Sequence, residues 1–331
     1  MARVVRFHET GGPEVMQVED LDVGEPGAGE IRVNIETIGL NRAEAMFRSG
    51  QYLEQPKLPA RLGCEAAGTV DMVGQDVQGF RPGDAVCVMP AFSMNDYGVY
   101  AEQAIVPAAA VVQRPDGLSA IDAAAIWMAY LTAYGALIDI GGLASGEAVI
   151  IPAASSSVGL AAIQIVNRVG AVSIAATRTN AKRAALLNAG AVHVIAIEEQ
   201  DLVTEVMHIT TNRGARVVFD PVGGPQVEKL AQAMAHQGIL FEYGALSPEP
   251  TPFPLILAIQ KSLTLRGYLV FELIDNRQRL ESAHNFVTRG LDDGTLKPTI
   301  AKTFDLDQIV DAHRYMESNE QFGKIVVTIM H

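Results

Sequence analysis

Cysteine occurs only at Cys64 and Cys87, a scarcity that excludes a disulfide framework and a four-cysteine structural zinc site. The two do not form a Cys-x-x-Cys pair. Basic residues are also short, 25 Lys plus Arg against 38 Asp plus Glu, for a net charge of −13. That excess opposes nonspecific attachment to nucleic acid or to an anionic membrane, although a local basic pocket is compatible with it. No uninterrupted apolar run approaches the roughly 18 residues of a membrane span. No basic N-terminal stretch leads into an apolar one. The expectation is a soluble, cytoplasmic protein without nucleic-acid or membrane partners. The 7 histidines show no close metal-ligand spacing, so none is assigned catalysis.

What is present describes a globular chain. Hydrophobic residues make up 49% and charged residues 19%, far from the disordered class. The 331 residues exceed the size at which one core stops growing, so two domains are expected.

Segments 4–7, 15–18, 31–37, 66–73, 85–88 and 98–106 have strand composition. Gly11-Gly12-Pro13, Glu25-Pro26-Gly27 and Gly79-Phe-Arg-Pro-Gly-Asp84 punctuate them as turns. This region predicts a compact, barrel-like β-domain, and the apolar run 108–112 reads as one more buried strand. Near Ser119, a helix-capping residue, the pattern changes to an alanine- and leucine-rich helix. Strand-like segments 147–152, 171–177, 192–195, 216–219, 238–243 and 263–269 then alternate with helical ones. That alternation predicts βαβ units and a parallel sheet covered on both faces. A helix over 274–289 follows. The tail offers strands at 299–304 and 324–329 around a helix at 306–318, and composition does not decide which domain they join.

The most informative window is Ala148-Val-Ile-Ile-Pro-Ala-Ala-Ser-Ser-Ser-Val-Gly159: a strand, a run of tiny side chains, then a helix start. A dinucleotide turn needs a tight bend, room for pyrophosphate and close helix–strand packing. Ala153, Ser156 and Gly159 occupy its three spacing positions, and only the last is glycine. The competing reading is an ordinary serine-rich helix cap. The following strand ends in Ala176-Thr-Arg-Thr-Asn-Ala-Lys-Arg183, with no acid before Glu198. An acid there would select NAD, whereas Arg178 and Lys182 suit the 2′-phosphate of NADP. Solvated charges at a helix start are the alternative.

Taken with Gly11-Gly-Pro-Glu14, Gly39-Leu-Asn-Arg-Ala-Glu44, Arg48-Ser-Gly-Gln-Tyr52, Leu62-Gly-Cys-Glu-Ala-Ala-Gly68, Leu131-Thr-Ala-Tyr134, Phe219-Asp-Pro-Val-Gly-Gly224 and Phe322-Gly-Lys-Ile-Val-Val327, the chain resembles the medium-chain dehydrogenase/reductase superfamily, in particular its zinc-free quinone oxidoreductase branch. The resemblance covers nearly the whole chain. It implies an α/β protein with a Rossmann domain at 124–265 and a split GroES-like catalytic domain at 1–123 and 266–331. It also implies NADPH/NADP+ as cofactor and a homodimer formed through the strand near 263–269. Asn41, Cys64 and Met128 stand where zinc alcohol dehydrogenases place metal ligands, so no metal site is expected; Cys64 reads as a packed residue and Glu65 as structural support.

The resemblance further assigns Asn41 and Tyr52 to the catalytic site, Tyr52 as the candidate proton donor, although a loop-ordering role for Tyr52 suits it equally. Cofactor contacts are expected from Asn41, Thr132, Ala154, Ser155, Ser156, Ser157, Val158, Gly159, Thr177, Arg178, Lys182, Val222, Gly244, Ala245, Phe271, Phe322 and Lys324. Tyr134 is expected near the cofactor, and a rim salt bridge is the competing role for Lys324. Tyr52, Met128, Tyr134, Leu246, Phe271 and Phe322 suit either an apolar substrate surface or packing. Without zinc to polarise a carbonyl, a conjugated acceptor is favoured: reduction of a quinone or small α,β-unsaturated carbonyl. A zinc-free alcohol or aldehyde reductase and a non-catalytic nucleotide-responsive binding protein are the alternatives.

Overall fold

The computed structural model describes residues 1–329; His331 and the end of the expected catalytic domain lie outside them. Two compact units are present, Met1–Met128 with Pro298–His331, and Ala129–Lys297.

The first unit is built on β1 (Ala2–Phe7), β2 (Met16–Leu21), β3 (Glu30–Gly39), β4 (Ala60–Arg61), β5 (Ala66–Val73), β6 (Ala85–Val88), β7 (Gln103–Pro107) and β8 (Val111–Gln113). Along β3, Ile31, Val33 and Ile35 are fully buried while the residues between them are half-buried. This two-residue period puts one face of the strand on a core shared with Phe47, Leu62, Val86 and Val106. Two expectations need correction. Residues 98–102 are not strand: Val99 and Tyr100 donate their amides to the carbonyls of Gly63 and Leu62, which turns the Tyr100 ring into the core. The run 108–112 opens as a 3-10 turn and becomes strand only at Val111.

The second unit carries β9 (Ala148–Ile151), β10 (Val172–Thr177), β11 (His193–Ala196), β12 (Ala215–Asp220), β13 (Met234–Glu242) and β14 (Thr264–Gly267). They form one parallel sheet in the order β11-β10-β9-β12-β13-β14. The sheet runs outward in both directions from β9, so the carboxyl ends of β9 and β12 flank a crevice where this topology binds ligands. Every residue of β9 is buried, as expected for a strand covered on both faces.

The tail settles the question that composition leaves open. β15 (Ile300–Asp305) pairs with β16 (Lys324–Thr328), which pairs antiparallel with β3 through Val326↔Gly39, Val327↔Ile38 and Thr328↔Thr37. Residues 266–297, by contrast, pack with the second unit and not with the expected catalytic domain. The helix Arg277–Asp292 buries Ala283 and Val287, Arg168 pairs with Asp293 at 2.7 Å, and Gln164 donates to the Lys297 carbonyl. The run Ala120–Ile140 has the length and apolar composition to cross a membrane, and 78% of it is buried within the protein, as in a core helix.

Candidate active site

The first unit gathers a buried polar cluster around Asn41. Asn41 ends the Gly39-Leu40-Asn41 connection from β3 and precedes the helix Arg42–Arg48. Glu44, at the third helical position, reaches back to accept the Asn41 amide at 2.6 Å. That capping arrangement satisfies a donor the helix itself cannot pair. The Asn41 side chain is oriented at both ends: Nδ2 donates to the Gly39 carbonyl at 3.0 Å, and Oδ1 accepts from Lys324 Nζ at 2.7 Å. Lys324, at the start of β16, is also ion-paired with Glu65, and both side chains are essentially sealed from solvent. Lys324 therefore sits within the domain and not in a rim salt bridge. Glu65 further accepts the Met128 amide at 2.9 Å, a structural anchor between β5 and the helix that follows.

Cys64 is 5% exposed, and its backbone amide and thiol both donate to Glu44. Burial, then the Glu44 and Glu65 carboxylates, push the thiol well up and disfavour a thiolate. Tyr52 lies edge-on to Phe47, with centroids 6.4 Å apart. Burial first, then neighbouring Cys64, Glu54 and Glu44, push its hydroxyl up to about 12. Tyr52 is therefore a protonated donor across the physiological range. Phe322 is half-buried in the turn before β16.

The second unit holds the turn expected to bind phosphate. After β9, Ala153 takes φ +46, a left-handed conformation usually given to glycine. Ser156 caps the helix Ser157–Arg168 by accepting the Gly159 amide at 3.0 Å. A Cβ at Gly159 would lie 2.7 Å from the Ala154 carbonyl, so only glycine allows the helix this close to the strand. Lys182 extends from the next βα connection to donate to Ser155 Oγ at 3.1 Å, while Arg178 is exposed just beyond β10 and Thr177 is half-buried at its end. The turn thus brings hydroxyls, helix amides and a cation together, a site suited to an anion.

Past β12, Asp220 accepts the amides of Val222 and Gly223, and Gly244 and Ala245 lie exposed at the end of β13. Thr132 is buried in the helix Trp127–Tyr134. Tyr134, expected beside the cofactor, packs its ring on Phe286 with centroids 5.0 Å apart. Phe271, another expected cofactor contact, begins the short helix Phe271–Ile274.

Sequence reasoning passed over several buried polar groups. Glu44 carried a legible signal, its spacing from Asn41. Tyr100 and His313 carried none, because long-range folding alone brings them to Glu44. Glu242 was also missed: it is paired in register with Asp220, and both of its carboxyl oxygens are buried without a hydrogen-bond partner among the described residues.

A barrel-like unit with a parallel-sheet dinucleotide unit inserted before its last strands defines the alcohol-dehydrogenase type of two-domain chain. Residues 27–116 match the alcohol dehydrogenase GroES-like domain, and residues 189–327 match the family described as zinc-binding dehydrogenase. The chain is 32% identical to quinone oxidoreductase 1 of Escherichia coli, covering 98% of each chain. The solved structure of Escherichia coli quinone oxidoreductase complexed with NADPH superimposes with a TM-score of 0.92 at 31% identity, covering 99% of this chain and 100% of that one. The synaptic vesicle membrane protein VAT-1 homolog of Danio rerio is 29% identical over 91% of this chain, which spans 64% of that longer protein. The chain belongs to the medium-chain dehydrogenase/reductase superfamily, in its quinone oxidoreductase-like branch.

The residues at the zinc positions do not fit that metal. Asn41 offers an amide oxygen already bound to Lys324, Cys64 a thiol held neutral by burial, and Met128 a thioether. A catalytic zinc ordinarily takes three protein ligands of thiolate, imidazole or carboxylate type. Among the described residues, no group of three or more His, Cys, Asp or Glu is placed to hold a metal ion.

Proposed function

We propose that this protein is an NADPH-dependent, zinc-independent oxidoreductase that reduces quinones or small α,β-unsaturated carbonyls. The observation that carries the reading is the phosphate turn, where Lys182 meets Ser155 and Arg178 stands exposed at the end of β10. Two cations at this position favour a dinucleotide carrying a 2′-phosphate. The serine hydroxyls and first amides of the helix Ser157–Arg168 receive the pyrophosphate, with Val158 within that first turn. Val222, Gly244 and Ala245 lie at the carboxyl ends of β12 and β13, where this topology places the rest of a dinucleotide. Thr132, Phe271 and Phe322 remain candidates for its nicotinamide half. NADPH, when bound, supplies a hydride to the electrophilic carbon of the acceptor.

The protein's own groups serve the acceptor oxygen. Tyr52 holds its proton to about pH 12 and donates a hydrogen bond. Asn41 has Oδ1 held by Lys324 and Nδ2 held by the Gly39 carbonyl, with the Glu44 and Glu65 carboxylates and the Cys64 sulfur also within reach of Nδ2, so its amide is fixed in one orientation. Neither group polarises a carbonyl as a metal ion would. A conjugated acceptor, whose charge spreads onto its oxygen, suits such donors better than a saturated ketone or aldehyde.

The test is NADPH oxidation against 1,4-benzoquinone, a simple enone and the matching saturated carbonyl. Turnover on the quinone or enone and none on the saturated carbonyl is expected. The reverse pattern would establish an alcohol or aldehyde reductase, and NADPH binding without turnover on any acceptor would establish a nucleotide-responsive binding protein.

A further inference from the structure

A buried hydrogen-bonded chain in the first unit runs from the domain's surface to Asn41. Glu317, on the helix Ile309–Glu317, accepts from Arg48 Nη2 at 2.6 Å, and Arg48 Nη1 lies 2.7 Å from His313 Nδ1. His313 Nε2 lies 3.1 Å from the Tyr100 hydroxyl, which is 2.6 Å from Glu44 Oε2. Glu44 then accepts the Asn41 amide. Arg48, Tyr100, His313 and Glu44 are each no more than 2% exposed.

The proton positions follow from chemistry. A guanidinium only donates, so His313 Nδ1 accepts and the ring proton sits on Nε2. Burial, then the charges of Arg48 and Arg42, hold that ring down to about 3, so it stays neutral. Nε2–H therefore donates to the Tyr100 oxygen, and the Tyr100 O–H is left to donate to Glu44. From Arg48 to Glu44 each group donates to the next, and Glu44 accepts from both Tyr100 and Asn41. The T-shaped contact between Tyr100 and His313, with centroids 5.7 Å apart, keeps the rings in register.

We propose that Tyr100 and His313 are positioning residues for the reduction reaction: by fixing the Glu44 carboxylate they set the backbone and amide orientation of Asn41. This inference rests on the catalytic reading of Asn41. The helix Arg42–Arg48 alone would hold Glu44 by one backbone contact on a rotatable side chain. With Tyr100 on one oxygen and the Cys64 amide on the other, the carboxylate is held at both, and Asn41 is held against it. Misplacing a reacting-site group by a fraction of its contact distance costs turnover while leaving ligand affinity largely intact.

The experiment is a double-mutant cycle on the full chain, with NADPH and 1,4-benzoquinone, using Tyr100→Phe and Asn41→Ser. Phenylalanine keeps the ring and removes only the donor; serine keeps a helix-capping oxygen and removes the amide. Thermal unfolding of each variant corrects rates to folded protein. Tyr100→Phe is expected to lower kcat about tenfold with the NADPH KM within twofold. In the Asn41→Ser background the same change is expected to cost less than twofold, because its target is gone. Glu44→Gln, which cannot accept at both oxygens, is expected to match Tyr100→Phe in its split between kcat and KM. Equal losses from Tyr100→Phe in both backgrounds, or a kcat per folded molecule that does not change, would overturn the proposal. Full turnover by Asn41→Ser alone would overturn the catalytic reading of Asn41 and the proposal with it, and that single variant identifies which step failed.

Discussion

At the scale of single residues, the proposed cofactor preference rests on charge. Arg178 and Lys182 are the cations at the phosphate turn, and a partly exposed charged hydrogen bond contributes roughly 1–2 kcal/mol. Replacing both with glutamine should therefore reduce the preference for NADPH over NADH about tenfold or more, read from the two dissociation constants. Equal weakening of both cofactors would assign the pair to general steering. Tyr52→Phe should lower kcat several-fold with little change in NADPH affinity, since only the hydroxyl is lost; unchanged turnover would remove Tyr52 from the chemistry. Glu242 has the opposite character, an acid held neutral. Burial, then the adjacent Asp220, push it up to about 8, while Asp220 itself rises to about 6 through burial. In the unfolded chain Glu242 ionises near the ordinary glutamate value of 4.5, so its contribution to stability is full below that pH and is lost as pH rises toward about 8. Allowing for partial exposure, Glu242→Gln should remove roughly 1–2 kcal/mol of that decline, measured by denaturant unfolding at pH 5 and pH 9.

At the scale of elements, the strand–turn–helix from β9 to Arg168 shows how a glycine-poor loop reaches a glycine-loop geometry. The tight bend falls on Ala153, at φ +46, while the close approach is left to Gly159. A non-glycine residue in this conformation costs about 1–2 kcal/mol, offset in part by alanine's smaller entropy loss on folding. Ala153→Gly should therefore stabilise the protein by up to about 1 kcal/mol, a rise in Tm of roughly 2–4 °C. Ala153→Val should do the reverse. A neutral or destabilising glycine would show that the bend carries no strain. Ser156 remains the cap in each case, so the anion-binding amides keep their geometry.

At the scale of the whole molecule, β14 ends the parallel sheet with one side unpaired among the described residues, and the neighbouring helix Leu255–Lys261 exposes Leu255, Ile256 and Ile259, next to Phe253 in the chain. An open strand edge beside apolar surface is a template for pairing. We propose that the chain forms a homodimer there. Sedimentation should give twice the mass of 35.4 kDa, and Ile256→Lys with Ile259→Lys should return the monomer without loss of fold. A monomeric wild-type protein would remove the proposal.

Much of this architecture was legible in the chain because it depends on local physics. The strand composition of 31–37 predicted β3, and the alternation after Ser119 predicted a parallel sheet. The tiny residues before Gly159 predicted the tight strand-to-helix turn after β9, and Arg178 with Lys182 the cations that lie beyond β10. Other features needed the folded molecule. The return of β16 to β3, the transfer of residues 266–297 to the second unit, and the meeting of Arg48, Tyr100 and His313 at Glu44 all join residues far apart in sequence. Periodicity and turn chemistry extend over a few residues, so they set which segments become strands and helices. Which strands pair, and which buried donor meets which acceptor, is decided when distant apolar faces close on a common core and every polar group trapped there must find a partner.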